Sequence, residues 1–203
     1  MCQSVEPLEK KRFVETIRIE NGKIDLLALH EARMNRTRKE VFGVNDWIDL
    51  TAYINPESYQ ERTKCRVEYD RQIIKVEYAT YHMRPVHSLK LVVSDDIDYT
   101  YKSTDRSALV NTFDQRGNCD DVLIVRNGLL TDTSICNVAL WNGREWITPK
   151  HPLLAGTMRA HLLQEGKIRE AEIRLEDLED YSQIRMFNAL IDFGEQSCDL
   201  PHT

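Results

Sequence analysis

Asp120-Asp-Val-Leu-Ile-Val-Arg-Asn-Gly-Leu-Leu-Thr-Asp-Thr-Ser-Ile-Cys-Asn137 is the stretch on which the reading of this chain turns. An apolar, β-branched run meets Asn127-Gly128, and a second apolar pair follows. Asn-Gly in that setting favours a two-residue type I′ turn, because both central residues need positive φ. The segment therefore reads as a β-hairpin whose second strand runs into a polar loop, Thr131-Asp-Thr-Ser-Ile-Cys-Asn137. The same signal occurs upstream at Asn21-Gly22, within residues 16–25, and downstream at Asn142-Gly143, within residues 138–147. Further strands are expected at 65–69 and 72–78, joined by Asp70-Arg71, and at 88–93.

Helices are fewer. Asp25 is placed to cap a helix over 26–41 that Gly43 ends. Others are expected at 47–54, stopped by Pro56, and from Ser103 or Asp105 to Phe113. Residues 157–165, closed by Gly166, and a short stretch at 176–181 complete the set. Arg84-Pro85 and Asp95-Asp96 interrupt the periodicity between about 84 and 100. The expectation is an α+β protein of two domains with a cleft between them: a small α/β domain over 1–90 and a larger one over 91–203.

A chain of 203 residues can hold one sizeable core or two small ones. Its 41% apolar and 30% charged residues are those of a soluble globular protein. The net charge of −6 argues against nucleic acid as a partner, which would need a basic face. No apolar run approaches the roughly 18 residues of a membrane span, and the N-terminal residues lack the apolar stretch of a signal peptide. The cysteines at 2, 65, 119, 136 and 198 are odd in number and never form a C-x-x-C pair. They read as reduced thiols in a cytoplasmic protein, with no metal site.

Chemistry is concentrated in three places. Lys102 sits in Tyr101-Lys-Ser-Thr-Asp-Arg106; Asp132 lies in the polar loop; Leu154-Ala-Gly-Thr-Met-Arg159 opens a helix on a glycine. Taken singly these have bland readings: a solvated cation, a turn former and a helix start. Lys90 is the rival lysine, but it alternates with Leu89 and Leu91 and so points away from an apolar face. Arg33, three residues after His30, shares a helix face with it.

Together these segments resemble the class IV aminotransferase family, fold type IV of the pyridoxal phosphate enzymes. That family holds branched-chain and D-amino acid aminotransferases and 4-amino-4-deoxychorismate lyases. Phe13-Val-Glu-Thr-Ile-Arg18 before Asn21-Gly22 is similar to its Phe-Glu-x-x-Arg hairpin, and Leu29-His-Glu-Ala-Arg-Met34 to its His-x-x-Arg-Leu helix. The opening stretch, Thr148-Pro149 and Leu154–Arg159 follow in the family's order. Two departures stand out. Asp132 occupies a position where the family usually has glutamate, and the strand and loop that normally precede the first motif are expected to be missing, a D-amino acid aminotransferase-like fold shortened at its N-terminus.

The resemblance implies that Lys102 forms the Schiff base and then moves protons, and that Asp132 keeps the pyridine nitrogen protonated. It implies phosphate binding by Arg33 with the backbone of Thr157 and Met158, where Gly156 allows close approach. Asn137, Asn188 and Ala189 complete the cofactor set, with Asn137 and Ser134 tying down the loop and Arg159 as a structural arginine. Ala189 stands where transaminases of the family place threonine or serine. Asn188-Ala-Leu-Ile191 therefore favours a lyase releasing pyruvate from 4-amino-4-deoxychorismate to give p-aminobenzoate. A small anionic amine with two carboxylates needs arginines, and of Glu15, Arg18, Arg84 and Arg106 the choice falls on Arg18 and Arg106. The alternatives are an aminotransferase for branched-chain or D-amino acids, and a non-catalytic binding relative. A homodimer is expected.

Overall fold

Phe13, Glu15, Ile17 and Ile19 share one face of strand β1 (Phe13–Glu20), and all four are buried. The structure, a computed structural model, describes residues 11–201, so Cys2 lies outside it. It divides into two compact units.

In the first unit β1 lies inside an antiparallel sheet of order β2-β1-β3-β4, with β2 (Lys23–Ile24), β3 (Thr63–Tyr69) and β4 (Ile73–Thr80). Strict alternation in β3 buries Thr63, Cys65, Val67 and Tyr69 on the inner face. Met34 of helix α1 (Leu27–Phe42) packs there with Ile48, Leu50 and Ile54. The helix ends at Gly43 in the left-handed conformation, φ 70°, as the sequence suggests. Its start differs from expectation: Leu26, at φ 49°, occupies the cap position without a side-chain cap, and Asp25 is drawn off to Arg18.

Residues 47–54 do not form the expected helix but a single 3-10 turn, Leu50–Ala52. Their backbone groups find partners on α1 instead. Asn35 exchanges hydrogen bonds with the N–H and C=O of Ile48 (3.0 Å each), and Glu31 accepts from the Leu50 N–H at 2.8 Å. Asp49 takes the Thr51 N–H in an Asx turn. Local hydrogen-bonding side chains and anchors at Ile48, Leu50 and Ile54 outcompete helix propensity here.

The second unit holds β5 (Leu89–Val93) parallel to β6 (Asp121–Arg126), which is antiparallel to β7 (Leu129–Thr133). A five-stranded sheet runs β10-β9-β8-β11-β12, with β8 (Asn137–Trp141), β9 (Trp146–Pro149), β10 (Arg169–Ala171), β11 (Gln183–Phe187) and β12 (Ser197–Cys198). Helices α2 (Ser107–Phe113) and α3 (Thr157–Gln164) accompany them, while 176–181 falls within a 3-10 stretch, Leu175–Asp180. Two Asn-Gly turns form as expected, Asn21 and Asn127 each at φ 52°. The third does not: four residues separate Trp141 from its partner Trp146, and only Gly143 has positive φ. The Asn142 side-chain oxygen accepts from the N–H of Arg144 and Glu145, which selects the wider turn.

The division of the chain also differs from the expected 1–90 and 91–203. The first unit ends at Tyr81, and residues 101–105 return to it. Val14 N–H donates to Lys102 C=O (2.9 Å) and Thr104 N–H to Arg12 C=O (3.0 Å), while the Tyr101 ring sits edge-on to Phe13. Lys102 thus belongs to the first unit rather than the larger one. Lys90 is exposed on β5. Cys65, Cys119, Cys136 and Cys198 are free thiols.

Candidate cofactor site

Glu15 stands on a strand face that is otherwise apolar and is fully buried. Such a carboxylate requires compensation, and α1 supplies it from one face, because His30 and Arg33 are three residues apart. Arg33 donates from Nε to Oε1 at 2.9 Å and from Nη2 to Oε2 at 2.5 Å. His30 Nδ1 lies 2.6 Å from Oε2. Burial would push Glu15 upward, but the Arg33 charge and the hydrogen bonds from His30 and Arg33 hold it at about 2. Burial, reinforced by the charges of Arg33 and Lys102, lowers His30 against the opposing pull of Glu15. The ionised carboxylate only accepts, so Nδ1 carries the proton and donates it. Lys102, bound through its backbone to β1 next to Glu15, contributes its charge to the same cluster.

The second unit builds its own cluster. Asp132 is buried at the end of β7, with Oδ1 accepting from Asn137 Nδ2 (2.8 Å) and Oδ2 from the Leu154 N–H (2.9 Å). Burial raises its pKa to about 6, against the Leu154 N–H and the Asn137 amide. Asn137 also donates to Leu154 C=O at 2.9 Å, joining the polar loop to the segment leading into α3. Gly156 makes this possible: a Cβ there would lie 2.0 Å from Asn137 Oδ1. Helix α3 then opens on Gly156 with no capping side chain, and Thr157 and Met158 are buried.

Around that cluster, Arg106 donates to Ser134 C=O at 2.8 Å. Asn188 reaches Ile135 C=O and the Cys136 sulfur, both at 3.3 Å, while its own oxygen takes the Leu190 N–H; Ala189 sits half-buried in that turn. Burial pushes the Cys136 thiol to about 12, which makes it packing rather than a nucleophile. Arg159 donates to Pro149 C=O and Glu170, a structural role. Arg18 is turned to Asp25, and Arg84 to Asp120 and Asp121. Lys102 and Arg33 therefore gather in one unit, and Asp132, Asn137, Gly156–Met158, Asn188, Ala189 and Arg106 in the other. Among the described residues no group of three or more His, Cys, Asp or Glu is placed to hold a metal ion, and no helix is long and apolar enough to cross a membrane.

The partnership of Glu15 and His30 with Arg33 is what sequence reasoning missed. Only the burial of Glu15 was signalled, since period-2 alternation places it between Phe13 and Ile17 on the buried face.

Two-unit α+β architecture with these clusters is that of the fold type IV pyridoxal phosphate enzymes. The chain belongs to the amino-transferase class IV family, whose model matches residues 12–194. An uncharacterized protein of Haemophilus influenzae is 39% identical over 87% of this chain and 96% of its own. A Haemophilus somnus crystal structure, provisionally named 4-amino-4-deoxychorismate lyase, is 32% identical with a TM-score of 0.82, covering 90% of this chain and 98% of that one. A Schizosaccharomyces pombe protein provisionally named aminodeoxychorismate lyase is 28% identical over 95% of each chain. At 16% identity a pyridoxal phosphate-bound Mycobacterium tuberculosis structure, described as a hypothetical aminotransferase, shares the fold with a TM-score of 0.76 over 95% of this chain and 84% of that one. Family and fold make this protein an enzyme of the class IV aminotransferase and lyase kind, and the family implies pyridoxal phosphate.

The residues present fit that cofactor. A buried carboxylate that is still ionised at neutral pH and is held by two N–H donors suits a protonated ring nitrogen. The glycine-opened helix start of the second unit and, separately, the buried arginine of the first are each of a kind that suits a phosphate.

Proposed function

We propose that the protein is a pyridoxal phosphate-dependent lyase that releases pyruvate from 4-amino-4-deoxychorismate, leaving p-aminobenzoate. The observation that carries this reading is the likeness to the Haemophilus somnus protein of that provisional name, which extends over nearly the whole of both chains. Ala189, without a hydroxyl where transaminases of the family carry one, supports it.

When bound, the cofactor supplies an electron sink for the carbon that loses its proton. Lys102 provides the amine that holds it and then carries that proton. Asp132 holds the ring nitrogen's proton, kept in place by Asn137 and the Leu154 N–H. The groups proposed to hold the phosphate are Arg33 of the first unit and, in the second, the start of α3 at Gly156, Thr157 and Met158 with Asn188 and Ala189. The substrate loses one ring proton, the bond from its ring carbon to the ether oxygen breaks, the three-carbon unit departs with that oxygen as enolpyruvate and takes up a proton to become pyruvate, and the ring becomes aromatic. Arg106 meets a substrate carboxylate; Arg18 would do so only by releasing Asp25. Function in the cytoplasm as a homodimer belongs to the same proposal.

The test is p-aminobenzoate formation by purified, cofactor-loaded protein from enzymatically made 4-amino-4-deoxychorismate. Lys102→Ala should abolish it and bleach the yellow colour of the bound cofactor. Keto acid formation from branched-chain or D-amino acids, with conversion of the cofactor to its amine form and no p-aminobenzoate, would establish the aminotransferase reading instead. A protein that stays colourless with added cofactor would be a non-catalytic relative.

A further inference from the structure

We propose that Glu15 is a positioning residue: its buried carboxylate sets the plane of the Arg33 guanidinium for the cofactor phosphate and holds His30 in its Nδ1–H tautomer. This rests on the reading of Arg33 as a phosphate ligand.

The arrangement makes little sense as packing alone. Phe13, Ile17 and Ile19 share Glu15's strand face, and apolar side chains in place of Glu15, His30 and Arg33 together would complete the core with no charge to desolvate. Buried ion pairs are at best neutral for stability compared with apolar replacements of similar size. What the carboxylate adds is direction. Two parallel bonds, Nε to Oε1 at 2.9 Å and Nη2 to Oε2 at 2.5 Å, fix both the position and the plane of a guanidinium. A planar group so fixed is held in one orientation, which is what recognition of a phosphate demands.

His30 completes the grip. Oε2 accepts from Arg33 and has His30 Nδ1 at 2.6 Å, so the imidazole adds a second bond to one oxygen of the fork. An acceptor-only partner leaves one tautomer for a neutral ring, with Nε2 as the acceptor. Burial and the nearby charges of Arg33 and Lys102 keep that ring neutral. Exchange of Glu15 for glutamine replaces one acceptor oxygen by a donor. The least costly placement turns the amide nitrogen toward Arg33 Nε, keeps both bonds to the other oxygen, and removes one prong of the fork.

Comparing the binding of pyridoxal phosphate with that of pyridoxal isolates the phosphate contribution. Glu15→Gln should weaken pyridoxal phosphate binding by about tenfold, the order expected for a lost bond to a charged group, and leave pyridoxal binding unchanged. A purely structural role would weaken both alike and overturn the proposal. In the charge-free double variant Glu15→Gln/Arg33→Met the preference for the phosphate form should disappear. Loss of preference in the double variant with none in the single would overturn the role of Glu15 and leave Arg33 as the phosphate ligand; unchanged preference in both would overturn both. Should Glu15→Gln fail to fold, Glu15→Asp, which keeps the charge and shortens the reach, is read the same way. Nitrogen-15 NMR of His30 in cofactor-free wild-type protein at neutral pH tests the tautomer independently. Protonation of Nδ1 alone is expected, and an Nε2–H tautomer or an imidazolium would overturn the geometry.

Discussion

Gly156 shows how a single missing atom organises this site. Its backbone, at φ −70°, would accept any residue, so the obstacle to a side chain is purely steric: the Asn137 amide oxygen occupies the place of a Cβ. Asn137 in turn holds Asp132 and the Leu154 carbonyl. Gly156→Ala is therefore expected to destabilise the cofactor-free protein by about 1–3 kcal/mol, the usual range for overpacking a filled site. The same change should cost much less in an Asn137→Ala background, where the displaced amide is gone. Urea unfolding of the four proteins in this cycle measures the coupling, and strictly additive effects would show that the crowding is relieved elsewhere.

Helix α1 acts as a hub because its polar residues face inward at places where neighbouring chain lacks its own hydrogen bonds. Arg38, fully buried, illustrates this. It donates twice to Arg71 C=O (3.0 and 2.7 Å), to Asn35 Oδ1 (2.8 Å), to Asp46 C=O (2.7 Å) and to Asp46 Oδ2 (2.9 Å). One side chain thus ties the β3–β4 turn and the segment after Gly43 to the helix. Lysine keeps the charge but cannot reproduce five directed N–H groups. Arg38→Lys should lower stability by on the order of 2 kcal/mol or more, with hydrogen exchange quickened first around residues 46–54. An unchanged melting temperature would mean that those bonds are readily replaced.

At the scale of the molecule two of its buried carboxylates, Glu15 and Asp132, pull the pH dependence in opposite directions. Glu15 is depressed from 4.5 to about 2, so its contribution is complete above pH 4.5 and is lost as pH falls toward 2. Asp132 is raised from 3.8 to about 6, so the folded state keeps a proton that the unfolded chain has released; that contribution is complete below pH 3.8 and is lost as pH rises through 6. Each integrates to on the order of 3 kcal/mol. His30 opposes Asp132 over part of this range: its value in the folded state is lowered from 6.5, so the unfolded chain binds a proton that the folded state lacks, and that contribution grows as pH rises toward 6.5. The Asp132 contribution is therefore read from the difference between wild type and Asp132→Asn: thermal unfolding of both across pH 2–7 should show wild type losing stability relative to the variant between pH 4 and 6, with the acid limb below pH 4 in place in both. Parallel profiles between pH 4 and 6 would contradict the burial of Asp132 as described.

Local chemistry alone determined much of this protein. Asn-Gly flanked by apolar runs specifies two of its hairpins, Gly43 and Gly166 end two helices, and Lys102, Asp132 and Gly156 are legible as proposed site residues because the family's motifs restrict residue type within a few positions. What only the tertiary structure decided are the matters in which distant segments compete for the same groups. Residues 47–54 surrender their helix because Glu31 and Asn35 offer better partners, and Asp25 leaves its cap for Arg18. Residues 101–105 join the first unit because β1 supplies the backbone bonds they need. Glu15 meets His30 and Arg33 across a separation that no local pattern spans. A buried charge must be neutralised by whatever folding brings beside it, and that partner is settled by packing rather than by sequence proximity.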